Sequence, residues 1–421
     1  MISKYFKGGK NKLSRHKTVL VNFSWMTVLE VFMLLAPLIT YPYLVRVLGM
    51  ELYGLILTAQ VLTSYATIII DFGSNIVLTK HVSINRNNKE MLSEIVSSVL
   101  IVRSFLWLIC IPIYCAVFVF VPMYREWWPL FLITYGMTLN DVLFPLYFFQ
   151  GIEKMRISSI MNISIKLFFI IFVFILVRSP KDYLLVPALY TIGYALVGVT
   201  SMYLIFVKMD INLKCPPIKR MMIYVKDSSS IFATDIICTI KDKLNYFLLG
   251  GFSGMANVVV YDLGLKINTL IGKPAQIVSQ VFMPRFAKTK NEKKLRIMTW
   301  YVFGVTLLFI IIINMFLPSI VGLFINTHID LIPLRIYSLS PLFFSVSVFL
   351  ANNFFIAFGY NRYLLYCILI TSVSYLMALG IVFITNQMAS VYSFISISLF
   401  SYMIEFLYRI IMKIRLVRNR K

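Results

Sequence analysis

Apolar residues along the chain gather into long runs parted by short polar breaks. Twelve runs are long enough to be helices, at about residues 19–42, 53–73, 95–121, 128–149, 157–177, 184–207, 229–250, 257–282, 297–318, 332–357, 363–385 and 389–411. A helix crossing the hydrocarbon of a bilayer takes about 20 apolar residues. The pattern therefore predicts an all-α, polytopic membrane protein with about 12 transmembrane helices. The run at 95–121 exceeds the bilayer thickness and has to tilt or protrude. The seventh and eighth runs are the least regular, because both carry charges. The longest internal connection, 208–227, holds Cys215-Pro216-Pro217 and five cations and divides the helices six and six. The organisation expected is a basic tail (1–18), an N-lobe of helices 1–6 (19–207), a linker loop (208–227), a C-lobe of helices 7–12 (228–411) and a second basic tail (412–421). An offset of 205 residues maps Gly49 onto Gly254, Ser64 onto Thr269 and Asp71 onto Gln276, a sparse trace of an internal repeat.

Charge sets the orientation. The two tails and the alternate connections on their side hold 29 Lys and Arg, against 4 on the other side (Arg46, Arg125, Arg178 and Lys181). Cationic loops stay cytoplasmic, so both termini are expected inside. The first run is too long for a signal-peptide core and lacks a small-residue cleavage pattern, so it reads as a retained helix.

Polar residues inside apolar helices mark where lipid does not reach. In the eighth run Asp262, Lys266, Thr269, Lys273, Gln276 and Gln280 recur at steps of three and four, which puts them on one helical face. A charge at the bilayer centre costs about 2.5–3.5 kcal/mol on insertion scales, so this face is expected to line an aqueous cavity or to be neutralised by ion pairs. Asp262 stands four residues before Lys266, a pairing distance on a helix. The second run repeats the spacing with Gln60, Ser64, Thr67, Asp71 and Ser74. The seventh holds Asp235, Lys241, Asp242, Lys243 and Asn245. Glu30 falls mid-run in the first helix, either as a proton carrier or as a partner for an interior lysine such as Lys166 or Lys273. Arg103 and Lys166 lie near helix ends, within snorkelling reach of the surface. Glu405 with Arg409 reads as an interfacial pair. The cationic candidates for an anionic ligand are thus Lys266, Lys273, Lys241, Lys243, Arg103 and Lys166. Thr269, Gln276, Gln280, Asn245, Gln60 and Ser64 are candidate polar lining, and Glu30, Asp71, Asp235 and Asp262 are the candidates for binding a coupling ion, H+ or Na+.

Composition agrees with the pattern. The 421 residues are 60% hydrophobic and 14% charged, with mean hydropathy +0.84 and net charge +23, whereas soluble domains average about 25% charged. Twelve crossings leave connections too short for a folded extramembrane domain, which excludes soluble enzymes and nucleic-acid-binding modules. The five cysteines form no CxxC, and His16, His81 and His328 are scattered, so neither a disulfide framework nor a metal site nor a cofactor is expected.

The stretch Tyr43-Leu44-Val45-Arg46-Val47-Leu48-Gly49-Met50-Glu51-Leu52-Tyr53-Gly54, then Asp71-Phe72-Gly73, Phe149-Gln150-Gly151-Ile152-Glu153-Lys154-Met155 and Tyr261, resembles Wzx-type polysaccharide flippases. These form the polysaccharide transporter family of the multidrug/oligosaccharidyl-lipid/polysaccharide exporter superfamily. The resemblance implies two six-helix lobes around a central cavity open alternately to either side of a bacterial inner membrane. It also implies an undecaprenyl-pyrophosphate-linked oligosaccharide substrate, such as an O-antigen repeat unit in lipopolysaccharide biosynthesis, with ion-coupled return. A polysaccharide polymerase and a chain-length regulator are the partners such a protein would work beside. Two other readings stand next to it: a multidrug-efflux-type cation antiporter of the same superfamily, which would lean on carboxylates, and a membrane-embedded polymerase, which would need larger external loops. The protein is not expected to be an enzyme.

Overall fold

A computed structural model describes the backbone of residues 2–325 and 329–418, and side chains from Ser24 onward apart from Met26 within those ranges. The side chains of the basic N-terminal tail and His16 lie outside the described residues, as do His328 and residues 419–421. Among the described residues the chain is helical, with no strand.

The first half comprises α1 (Ile2–Leu48), α2 (Met50–Asp71), α3 (Ser74–Ile84), α4 (Lys89–Phe120), α5 (Pro122–Arg125), α6 (Trp128–Tyr135), α7 (Leu139–Leu143), α8 (Leu146–Gly151), α9 (Met155–Leu176) and α10 (Leu185–Tyr203). The second half comprises α11 (Ile218–Phe252), α12 (Met255–Thr289), α13 (Glu292–Phe324), α14 (Ile332–Tyr337), α15 (Ser340–Leu350), α16 (Asn361–Ile384) and α17 (Val391–Arg418). Several crossings are broken helices. Phe72 and Gly73, both at positive φ, separate α2 from α3. Pro145 stands between α7 and α8, where it cannot continue a helix. Ten helical stretches are long and apolar enough to cross a membrane. The 35-residue helices α11 and α12 are also long enough, and it is their charges that keep them out of a hydropathy count. With these two the arrangement is consistent with the twelve crossings expected.

Helix ends follow local chemistry. Asn88 and Asn291 cap α4 and α13, their side chains accepting from the backbone N–H of Met91 (3.1 Å) and Lys294 (3.0 Å). α11 starts at Ile218, well before the apolar run at 229, directly after Pro216-Pro217. Its first turns mix Lys219, Arg220, Lys226 and Asp227 with apolar residues and are helical all the same, because helix propensity does not depend on hydrophobicity. Gly49 and Gly254, the pair related by the 205-residue offset, both take positive φ (81° and 93°) immediately before a helix.

Two compact units result. The first holds the chain up to Leu48 together with Ala59–Ile236, and the second holds Gly49–Thr58 and the chain from Ile237. In the first unit α9 packs on α1 and α10, and α3 packs on α8. Its core joins Leu78, Val82, Ile95, Val96, Phe148 and Phe149 to Ile211 and Tyr224, which follow α10 in the chain. The segment around Ile211 is strapped to α4. Its backbone N–H groups at Asn212 and Lys214 donate to the Ser93 and Ser97 hydroxyls (3.0 and 2.9 Å). Lys89–Asp210, Glu90–Lys214 and Glu94–Arg220 add ion pairs at 2.9, 3.6 and 3.6 Å. In the second unit α12 runs against α13, α14 and α15, while α17 packs on α15 and α16. The start of α2 belongs to this unit: Gly54 lies so close to α12 that a Cβ there would stand 2.0 Å from the Met255 carbonyl oxygen.

Candidate functional site

A cavity of about 270 Å³ opens inside the second unit, lined by Lys241, Asp242, Lys243 and Tyr246 of α11, Tyr261, Leu265 and Thr269 of α12, Tyr375 of α16, and Ser398, Ser401 and Tyr402 of α17. Its cationic side comes from a single turn of α11. The Lys241 ammonium sits 3.5 Å from Asp242, with 14% of the lysine side chain exposed and 55% of the aspartate. Lys243 is half-buried. Behind it lies a hydroxyl network. Asn245 donates to the Tyr261 and Ser398 hydroxyls (2.9 and 3.1 Å) and accepts from Tyr375 (2.6 Å). Tyr261 and Ser398 are 3.0 Å apart, and Tyr337 donates to Tyr261 at 3.4 Å. The rings support one another: Tyr261 stacks on Tyr337 and meets Tyr246 edge-on, each with centroids 5.5 Å apart. The Ser401 hydroxyl is buried on the cavity wall without a hydrogen-bond partner. Lysine ammoniums and spare hydroxyls facing a small space can hold an anionic, hydroxyl-rich group.

Of the α12 stripe, Thr269 lines this cavity. Lys266 is ion-paired to Asp262, as the i,i+4 spacing allows, and Asp262 also accepts from the Tyr246 hydroxyl (2.7 Å). Lys273 and Gln276 are half-buried further along α12, and Gln280 is exposed; none of the three lines the cavity. α17 supplies a further charged pair. Arg409 pairs with Glu405 at 2.7 Å and donates to the Ser347 hydroxyl at 2.8 Å. Both side chains are nearly buried within the unit, where Ser347 of α15 completes their bonding.

The first unit gathers the other charges. Arg103 is 2% exposed. Its guanidinium donates to Asp71, to the Ser74 hydroxyl (2.7 Å), to the Asn75 side-chain oxygen (3.3 Å) and to the Asp141 backbone carbonyl (2.7 Å). Thr67 donates to the Asp141 carboxylate at 3.0 Å. Arg103 therefore does not snorkel, since partners at the α2–α3 break and on α7 meet it inside the protein. The Lys166 ammonium stands 4.7 Å from the centre of the Tyr190 ring, which stacks on Phe169 at 3.6 Å. The Ser64 hydroxyl is turned back onto the Val61 carbonyl (2.6 Å), and Gln60 is half-buried. Glu30 and Asp235 are exposed. The structure thus brings together Lys241, Lys243, Asn245 and Thr269, and separately Asp262 with Lys266 and Asp71 with Arg103.

The tyrosines were the part not anticipated as a group. Tyr246, Tyr261, Tyr375 and Tyr402 come from four helices, and no spacing within one helix links them. Among the described residues no group of three or more His, Cys, Asp or Glu is arranged to hold a metal ion.

These features define a multi-pass, all-helical membrane protein whose fold is that of solved transporters. The chain is 15% identical to a multidrug resistance MATE family transporter of the MOP superfamily in an inward-facing conformation, with a TM-score of 0.69 over 91% of this chain and 96% of that one. A MOP superfamily transporter from Pyrococcus furiosus gives 13% identity and a TM-score of 0.61 over 96% and 95%. At such identities the likeness is one of fold. By sequence, the chain belongs to the polysaccharide biosynthesis protein family, whose model matches residues 19–290. It is also 28% identical over 278 residues to a Shigella dysenteriae protein named "Putative O-antigen transporter", covering 64% of this chain and 69% of that one. A protein of the same name from Escherichia coli K12 is 22% identical over 279 residues, 66% of each chain. The matched part thus spans about two thirds of those relatives.

Proposed function

We propose that this protein is a membrane transporter that moves undecaprenyl-pyrophosphate-linked oligosaccharide, an O-antigen repeat or a similar unit, from the cytoplasmic to the outer leaflet of a bacterial inner membrane by alternating access. The observation that carries this reading is the cavity of the second unit, where Lys241 and Lys243 stand beside the hydroxyls of Tyr261, Tyr375, Ser398 and Ser401. A sugar headgroup crossing bare hydrocarbon loses its hydrogen bonds to water, at several kcal/mol each. A hydroxyl-lined interior replaces them while the isoprenoid tail stays in lipid. Ammonium groups away from bulk water attract a diphosphate strongly. The cavity is slightly smaller than pockets that hold drug-sized ligands, so it accommodates a diphosphate or one sugar ring and leaves the rest of the headgroup elsewhere. The names of the relatives and the family membership support the same substrate class.

Return to the resting state is proposed to be driven by H+ or Na+. Asp262 is the candidate best placed for this: an ion captured there would compete with Lys266 and free its ammonium. Glu30 and Asp235, exposed to their surroundings, are the alternatives, whereas Asp71 is committed to Arg103. Lys273, Gln276 and Gln280 continue the polar face of α12 and would meet substrate outside the described cavity. A polymerase and a chain-length regulator are the proposed partners, and the protein itself carries out no covalent step.

The test is surface glycan in a deletion strain complemented in trans. Wild-type protein should restore it, while Lys241→Gln with Lys243→Gln should lower it at least tenfold at unchanged membrane abundance. Full restoration by that double variant would remove the cationic cavity from the mechanism. Rescue of drug resistance without any rescue of glycan would favour an efflux antiporter instead.

A further inference from the structure

A second built feature lies away from this cavity, at the charged ends of α13 and α17. Both helices pack on α15, and the groove left over it has a volume of about 600 Å³. Its mouth is cationic, with Arg296 from the first turns of α13 and Lys413 and Arg418 from the last turns of α17. Its wall is Trp300, 65% exposed. Its apolar lining is the buried Leu350, the half-buried Ile410 and the exposed Ile414. From Ile410 to Arg418 the helix rises about 12 Å, so the lining changes from hydrocarbon-like to cationic over the depth of a membrane interface. No carboxylate lines the groove. Among the described residues none of the three cations forms an ion pair, although Glu292 lies within electrostatic reach of Lys413.

We propose that this groove binds an anionic phospholipid of the surrounding bilayer, its phosphate held by Arg296, Lys413 and Arg418 and one acyl chain lying along Ile410 and Ile414. Charge complementarity selects the occupant. Three unpaired cations at an interface attract an acidic headgroup, and a zwitterionic headgroup brings its own ammonium against them. The indole of Trp300 suits the headgroup level. The guanidinium pair offers forked donors matched to phosphate. This site is independent of the transport reading, because none of its residues lines the cavity.

Native mass spectrometry of the full-length protein tests it, with dioleoyl phosphatidylglycerol, dioleoyl phosphatidylcholine and a polyisoprenyl phosphate as probes. Phosphatidylglycerol adducts should exceed phosphatidylcholine adducts at least fivefold. They should fall to the phosphatidylcholine level in the triple variant Arg296→Gln, Lys413→Gln, Arg418→Gln and persist when the same positions become Lys, Arg and Lys. If the triple variant does not fold, Arg296→Gln with Trp300→Ala serves for the same comparison. Equal adducts for the two phospholipids, or adducts unchanged by removing the charges, overturn the proposal. So does displacement of phosphatidylglycerol by an equal concentration of polyisoprenyl phosphate, which would assign the groove to the isoprenoid carrier.

Discussion

Arg103 carries more of the first unit than any other charged side chain. Its guanidinium joins the end of α2, the start of α3 and the carbonyl of Asp141 on α7, three segments with no continuous helix between them. Removing one partner of a buried, hydrogen-bonded pair leaves the other uncompensated and costs about 3–5 kcal/mol. Arg103→Met should therefore lower the thermal stability of the purified protein strongly, and Arg103→Lys should recover only part of the loss, since lysine lacks the planar fork. A scanning-fluorimetry comparison of the two variants checks this. The network was hidden from a linear reading because Asp71, Ser74, Asn75, Arg103 and Asp141 lie on separate segments. Taken singly, Arg103 near a helix end is indistinguishable from a snorkelling residue. The tyrosine cluster was hidden for the same reason, since each of its rings alone reads as a membrane-interface aromatic. Lys241, Lys243, Asn245 and Thr269 were legible because a charge or amide in an apolar run stands out against a solvent that penalises it.

At the scale of elements, the apolar runs located ten crossings because lipid imposes one length and one composition on any helix that faces it. The extents of α11 and α12 were harder to read, since charges inside them are balanced by neighbours and not by distance from the bilayer centre. The quoted stretch from Tyr43 to Gly54 gains a physical reason from the structure: Gly54 is where α2 meets the start of α12. Gly54→Ala would push a methyl group into the Met255 carbonyl, and overpacking of this kind costs about 1–3 kcal/mol. A lower melting temperature with unchanged helical content by circular dichroism is expected. A second contact has a pH signature. The Tyr392 hydroxyl at the start of α17 donates to Asp330, in the connection before α14, and holds that carboxyl below the usual aspartate range. A depressed carboxyl adds stability above its unfolded pKa of about 3.9 and loses it as pH falls through the folded value. Protease resistance of the 329–331 connection should thus exceed that of Asp330→Asn at pH 7, and the difference should vanish as the pH falls through the lowered value of this carboxyl.

For the whole molecule, the excess of Lys and Arg on one side makes a topological statement. Alkaline phosphatase fused after residue 181 or after residue 330 should be active, and the same enzyme fused after Lys421 should be inactive; the reverse outcome would invert the orientation. Two of the boundaries between the compact units fall inside α2 and α11. A hydropathy profile does not show such boundaries, since each helix remains unbroken while its packing partners change.

The strap between α10 and α11 has a practical consequence. Of the five cysteines, Cys215 alone is exposed: Cys110 and Cys367 are buried, and Cys115 and Cys238 are half-covered. The exposed thiol follows directly on Lys214, whose amide and side chain are both fastened to α4. A maleimide dye or spin label added to the unaltered chain would react there first. It would report from a backbone tethered on either side of it, so its signal would follow the body it is attached to and not the wandering of a loose loop.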